Sequence, residues 1–320
     1  MRKSIAIIIT SILVLSGCNK QQSVSDRLLN EVEKAIAINP DSASNLLKSI
    51  SSPEKLDDKT FARWCMLSGK ITDEIFNSIL PTYQLERAYD WYSSHGSPDE
   101  QVQILIYLGR SYFADGDYDK AMSIYTNALD IAGKNKLNNL IGYTYDYIGD
   151  LYREKFMRTE AIKRYEIAAE YFKKEKNTDS YACALRDIGR EYAQMDSLSH
   201  ALNILIIADS VAANTSNINV TASINNALGN IYSMQNKYDK AEEYLLKALL
   251  TGREKMPDYV ALIDLYTASN SINKAKELGL KIAAVKINST YSSPTNLLGC
   301  GTSWATSFTK DKIIEALNKA

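Results

Sequence analysis

The sequence predicts an all-α solenoid built from antiparallel helix pairs, and three observations lead to it. First, four sets of residues recur with a single 40-residue period: Leu108-Gly109, Ile148-Gly149, Ile188-Gly189 and Leu228-Gly229; Tyr112, Tyr152, Tyr192 and Tyr232; Ala121, Ala161, Ala201 and Ala241; and Ala128, Ala168, Ala208 and Ala248. Periods of roughly 20–50 residues with helical patterning mark stacked repeats. Second, apolar residues inside a period fall three and four apart, as at Val102, Leu105, Leu108 and Tyr112, which gathers them on one helical face. Third, a breaker separates two such faces: Asp115-Gly116-Asp117 ends one helix, and Asp117 is placed to cap the next, from Tyr118 to Ile131. The small residues have a mechanical reason. Gly109 and Ala121 sit where paired helices cross closely, while Tyr112 and Tyr125 fill the space around them.

Composition excludes several function classes. The 320 residues carry 37 Lys+Arg and 38 Asp+Glu, a formal charge of −1, so there is no electrostatic footprint for nucleic acid and no polybasic membrane patch. Hydrophobic residues at 45% and charged residues at 23% are ordinary for a folded chain. With 2 His and 4 Cys there is little from which to build a metal site or a nucleophile–base pair. No phosphate loop, nucleophile elbow or dinucleotide fingerprint appears, so neither catalytic residues nor cofactors are expected.

The first residues read as an address. Arg2 and Lys3 precede an apolar stretch from Ile5 to Leu15, followed by Leu15-Ser16-Gly17-Cys18. That segment resembles the lipobox of bacterial lipoproteins. The resemblance implies cleavage after residue 17 and acylation of Cys18, a firm anchor when several acyl chains are attached. Asn19 rather than Asp follows the cysteine, which by the sorting rule of such lipoproteins implies the outer membrane. No acidic run follows, which favours the periplasmic side. The expected organisation is a signal peptide at 1–17, a lipidated tether at 18–24, N-terminal helices at 25–57, a divergent helix pair at 58–96, about five repeats at 97–287 (period 40, then 34), and a Ser/Thr/Gly-rich tail at 288–320 ending in an amphipathic stretch, Lys310 to Lys319. Cys65, Cys183 and Cys300 remain as an odd set without CxxC spacing, and buried thiols are the simplest expectation for helical cysteines.

The repeats resemble the tetratricopeptide repeat (TPR), whose pattern wants a large residue, Leu-Gly, Tyr, then Ala, an aromatic and Ala. Leu105, Leu108-Gly109, Tyr112, Ala121, Tyr125 and Ala128 match in one unit, and Tyr145, Ile148-Gly149, Tyr152, Ala161, Tyr165 and Ala168 in the next. The third unit has Leu205, and the fourth Leu245, in place of the second aromatic. A fifth follows at a 34-residue step, Tyr266 after Tyr232 and Ala275 after Ala241. Upstream, Asp41-Ser42-Ala43, Leu46-Leu47, Ile50 and the later Tyr92-Ser93-Ser94-His95-Gly96 are similar to a group of bacterial envelope lipoproteins with such repeats, over roughly residues 25–287. The resemblance implies a right-handed superhelix whose first helices line a concave surface through residues spaced 3, 4 and 3 apart. His95-Gly96 reads as an ordinary helix end, with a glycine at the left-handed cap position.

By that register the stripe is Gln103, Ile106, Arg110 and Phe113; Tyr143, Asp146, Asp150 and Arg153; Cys183, Arg186, Arg190 and Ala193; then Ser223, Asn226, Asn230 and Ser233, with Tyr147 and Asp187 bordering it. The candidate binding residues are Arg110, Tyr143, Asp146, Tyr147, Asp150, Arg186, Arg190, Asn226 and Asn230. Two readings stand side by side. Arg110, Asp146, Asp150, Arg186 and Arg190 can pair with one another between repeats. Alternatively, Arg186 and Arg190 beside Asn226 and Asn230 offer hydrogen bonds to a peptide, with Tyr143 and Tyr147 as apolar shelves. The carboxylate clamp of chaperone-binding repeats is not matched, because Ile106 and Asp146 stand where Lys or Asn is wanted. Paired carboxylates such as Asp146 and Asp150 are more simply solvated or paired than catalytic. The expected function is a non-enzymatic protein- or peptide-binding scaffold of the cell envelope. A sensor or regulatory lipoprotein signalling through another chain and a glycan-capturing outer-membrane lipoprotein are the alternatives, the latter disfavoured by 3 Trp.

Overall fold

Between most consecutive helices the chain reverses on one left-handed residue. Gly116 (φ 80°), Lys136, Phe156, Lys176, Asp196, Asn236 and Asn270 all occupy this conformation, the six non-glycine residues at φ between 55° and 59°. Each sits between two backbone hydrogen bonds that satisfy carbonyls of the preceding last turn. At the first, Gly116 N donates to Phe113 O (3.0 Å) and Asp117 N to Tyr112 O (2.9 Å); at Phe156 the same pair is Phe156 N to Arg153 O and Met157 N to Tyr152 O (2.9 Å each). This is the Schellman closure of a helix. It leaves three residues between one helix and the next.

The computed structural model describes residues 24–75, 79–252 and 255–288. They form α1 (24–36), α2 (Pro40–Lys48), a 3-10 turn (Pro53–Lys55), α3 (Asp58–Ile75), α4 (Thr82–His95), α5 (Pro98–Ala114), α6 (Tyr118–Lys134), α7 (Asn138–Glu154), α8 (Arg158–Lys174), α9 (Thr178–Gln194), α10 (Leu198–Ala212), α11 (Ile218–Met234), α12 (Tyr238–Thr251), α13 (Met256–Ala268) and α14 (Ile272–Asn288). Among the described residues there is no strand, and no helix is long and apolar enough to cross a membrane. Cys18 and the segment 289–320 lie outside them. The fold is the all-α, TPR-like solenoid of paired helices.

The chain divides into two compact units at Ile124/Tyr125, within α6. In the first, α1 to α5 enclose a core that includes Leu29, Phe61, Cys65, Leu85, Ala88, Tyr92 and Tyr107. Asn39 caps α2, its Oδ1 accepting from Ser42 N at 2.9 Å. Ser97 and Glu100 form a reciprocal capping box at the start of α5. Gly96 departs from the expected left-handed cap: its φ is −82°, in extended backbone. What demands glycine there is space, since a Cβ would lie 2.7 Å from Tyr92 Cδ1.

In the second unit the Leu-Gly register explains itself. A Cβ on Gly149 would stand 2.5 Å from the Tyr165 ring, one on Gly189 2.8 Å from Leu205 Cγ, and one on Gly229 2.6 Å from Leu245 Cγ. Each first helix therefore receives the large residue of its second helix at its glycine. Around these contacts lie Ala161, Ala201, Ala208, Ala241 and Ala248, all fully buried. The two thiols among the described residues, Cys65 and Cys183, are buried and unbridged.

The left-handed turns predict a stabilising substitution. Asp196 is exposed at φ 58°, and its carboxylate stands at the carbonyl end of α9. Asp196→Gly relieves both the left-handed strain and the unfavourable dipole contact, so the unfolding free energy measured in urea should rise by about 1 kcal/mol.

Candidate functional site

The first helices α7, α9, α11 and α13 of the second unit present one residue each at an equivalent position: Asp150, Arg190, Asn230 and, after the 34-residue step, Asp264. All four are half-buried. Sequence spacing alone places the first three in a row. Beneath them is a layer of charge that the sequence did not resolve.

Arg186 is fully buried. Its guanidinium grips its own neighbour on α9, Asp187, through Nε to Oδ1 (3.0 Å) and Nη2 to Oδ2 (2.6 Å). Its Nη1 donates to Ser223 Oγ on α11 at 2.8 Å, tying two repeats together. Arg190 reaches the same carboxylate, Nη1 to Asp187 Oδ1, at 3.4 Å. Burial pushes the Asp187 carboxyl up, but Arg186 with its hydrogen bonds, joined by Arg190 and Arg153, outweighs it and holds the pKa below the ordinary range. Arg190 carries the opposite burden: burial and then the adjacent Arg186 lower it to about 10.

On α7, Arg153 Nη1 pairs with Asp150 Oδ1 at 2.8 Å, and Tyr165 on α8 donates its hydroxyl to the same oxygen at 2.8 Å. Burial raises the Asp150 pKa in spite of Arg153. Glu191 on α9 is fully buried and accepts from Arg158 Nη1 of α8 at 2.9 Å; burial raises its pKa as well. Arg153 Nε and Nη2 and Glu191 Oε1 are buried and have no hydrogen-bond partner among the described residues. Such groups retain their desolvation cost, about 1–3 kcal/mol or more each.

Arg186 and Arg190 take Asp187 on α9, and Arg153 takes Asp150 on α7, each pair within its own helix. A residue on the same helix lies nearer than the equivalent position on a helix about 10 Å distant. Links that cross between repeats include Arg158–Glu191, Arg186–Ser223, and Asn226 Nδ2 donating to Asp258 Oδ1 of α13 at 2.7 Å. Of these partners Glu191, Arg158 and Asp258 escaped the sequence reading. Asp258 lies 32 residues after Asn226, so the contraction of the period hides it.

The remaining stripe residues fall into two groups. Arg186 and Asn226 are interior. Tyr143, Asp146, Tyr147, Asp150, Arg190 and Asn230 remain partly open. The Tyr143 hydroxyl accepts from Asn177 Nδ2 (3.0 Å) and Ser180 Oγ (2.9 Å), and its ring meets Phe172 edge-on at 4.9 Å. Tyr147 stacks on Tyr125, centroids 6.0 Å apart. Asn230 Nδ2 donates to the Asn226 carbonyl and side-chain oxygen, both at 3.0 Å. Arg110, in the other unit, is buried; it pairs with Asp73, whose second oxygen accepts from the Tyr107 hydroxyl at 3.0 Å. Among the described residues no group of three His, Cys, Asp or Glu could hold a metal ion. The open part of the stripe is suited to hydrogen bonding along an extended chain, with rings at one end and amide and guanidinium at the other.

The buried pair makes a sharp prediction. Asp187→Asn leaves the Arg186 guanidinium buried without its counter-charge and should lower the unfolding free energy by about 3–5 kcal/mol at neutral pH. Because the folded Asp187 pKa is depressed, its contribution is present above the ordinary carboxylate value and is lost as pH falls through the lower folded one. The gap between native and Asp187→Asn chains should therefore close at the acid end of a pH series of urea titrations.

Comparison with known proteins places this architecture. Tetratricopeptide-repeat family signatures match residues 105–138 and 221–256. A curated relative, Photosystem I assembly protein Ycf3 of Rippkaea orientalis, is 32% identical over 91 residues, 28% of this chain and 52% of that protein, so the match spans about half of the relative's length. Among solved structures, a Rap protein complexed with competence and sporulation factor superposes with a TM-score of 0.58 at 16% identity, over 83% of this chain and 93% of that one. NprR in complex with its cognate peptide NprX gives 0.53 at 15% identity, over 83% and 80%. A tetratricopeptide repeat protein from Parabacteroides merdae gives 0.54 at 15%, over 92% and 97%. At these identities the structural likeness is one of fold, and the tetratricopeptide-repeat signatures fall on two of its helix pairs, at residues 105–138 and 221–256.

Proposed function

We propose that the chain is a non-enzymatic scaffold, tethered by lipid at Cys18 to the bacterial outer membrane on its periplasmic side, and that its partner is a peptide or an extended protein segment laid across α7, α9 and α11. The observation that carries the reading is the row of half-buried Asp150, Arg190 and Asn230 on successive first helices, flanked by the Tyr143 and Tyr147 rings. A chain lying across it meets a carboxylate, a guanidinium and an amide in turn, each able to bond a peptide group or a side chain. Arg186 anchors this surface from inside: its bonds to Asp187 and Ser223 fix α9 against α11.

Two measurements test the proposal. A photoreactive residue in place of Tyr147 should yield one discrete crosslinked protein in the native envelope, and Arg190→Gln, with helix content unchanged, should abolish it. A chain that crosslinks to nothing, or equally well with Arg190→Gln, refutes the groove reading. For the anchor, Cys18→Ser should move the protein from the membrane pellet to the soluble fraction; retention in the pellet rules out attachment through this cysteine.

A further inference from the structure

The outward faces of the second helices carry another pattern, independent of the groove. Thr126, Glu166, Ile206 and Leu246 are equivalent in the 40-residue register, and Leu280 follows at the same 34-residue step that leads from Ala241 to Ala275. The position is polar on α6 and α8 but apolar on α10, α12 and α14. All three apolar side chains are open to solvent: Ile206 is 51% exposed, Leu246 39% and Leu280 64%, and Ile207 and Leu250 widen the strip. The three helices belong to one packed block, since Leu202 of α10, Leu249 of α12 and Leu278 of α14 border one core. Single exposed apolar residues are commonplace, but the same position left apolar and open on three successive second helices marks a surface that something covers.

We propose that the occupant is the chain's own segment 310–319, docked as a helix across the backs of α10, α12 and α14. Ile313, Ile314 and Leu317 fall on one helical face with Ala316, while Asp311, Lys312, Glu315, Asn318 and Lys319 fall on the other. The strip is apolar only in the repeats nearest α14, the helix from which this segment departs. Counting a packed helix between each pair of second helices at about 10 Å per step, the strip spans at most about 40 Å. The 21 residues at 289–309 can extend to about 70 Å, so the length suffices. A solenoid needs a covering element where its repeats leave apolar surface uncovered, and this segment supplies one.

Amide hydrogen exchange in the full chain tests the docking. A free helix of this length is marginal in water, so protection requires a surface to dock on. Exchange within 313–319 should be at least about tenfold slower than in the isolated peptide of the same sequence. The double substitution Leu246→Asp and Leu280→Asp touches only exposed positions; it should return that segment to the peptide rate while the amides of α7 to α9 keep theirs. Free-peptide exchange in the native chain overturns the proposal, as does protection that survives the double substitution. Protection that grows with protein concentration assigns the strip to a second copy instead. Protection found only with phosphatidylethanolamine–phosphatidylglycerol vesicles assigns it to a membrane; either result also overturns it.

Discussion

A pair of helices in this protein can approach closely because the first of them carries no side chain at one point. The Tyr165 ring, Leu205 and Leu245 each enter the gap left by Gly149, Gly189 and Gly229. That contact sets the separation of the pair, and the separation sets what the connector can be. Two helices held this near are joined by three residues, and the reversal falls on a left-handed one. The connector and the helix length then fix the period. The period in turn carries Asp150, Arg190 and Asn230 to matching places on successive helices, so the outer chemistry is a consequence of the inner packing.

Beneath that row the charges are held in a way that adds specificity more than stability. A buried ion pair recovers little net free energy once desolvation is counted. Arg186, however, has two oxygens of Asp187 on one side and Ser223 on the other. A guanidinium bound in this way permits few alternative alignments of α9 and α11. Arg190 shares the same carboxylate at longer range, and its lowered pKa reflects burial first and then the neighbouring Arg186 cation.

The parts legible in the sequence were those where packing is local and repeats. Gly, Tyr and Ala recur because every helix pair meets the same steric demand, so four registers announced the fold. The connectors were legible only at Gly116. Lys136 and Phe156 adopt the same backbone with nothing in their identities to signal it, whereas Asp196 and Asn236 are of types that tolerate it. Gly96 misled for the complementary reason: it is a glycine required by the Tyr92 ring rather than by a positive φ. The candidate site was legible as a row of positions but not as a set of pairs. Whether Arg186 meets Asp187 or a carboxylate one helix away depends on rotamer and depth, which spacing does not encode. Asp258 eluded the pattern because the period shortens just before it.

The helices from α5 to α9, and α11, have 17 residues each. At 1.5 Å per residue each is about 25 Å long. A strand at about 3.3 Å per residue matches that length in about eight residues if it runs parallel to the helix. Adding a turn to each helix would lengthen its face by about 5 Å while leaving the glycine contacts and the connectors as they are. In this fold, the face a helix offers can be lengthened without disturbing the packing that holds the pair.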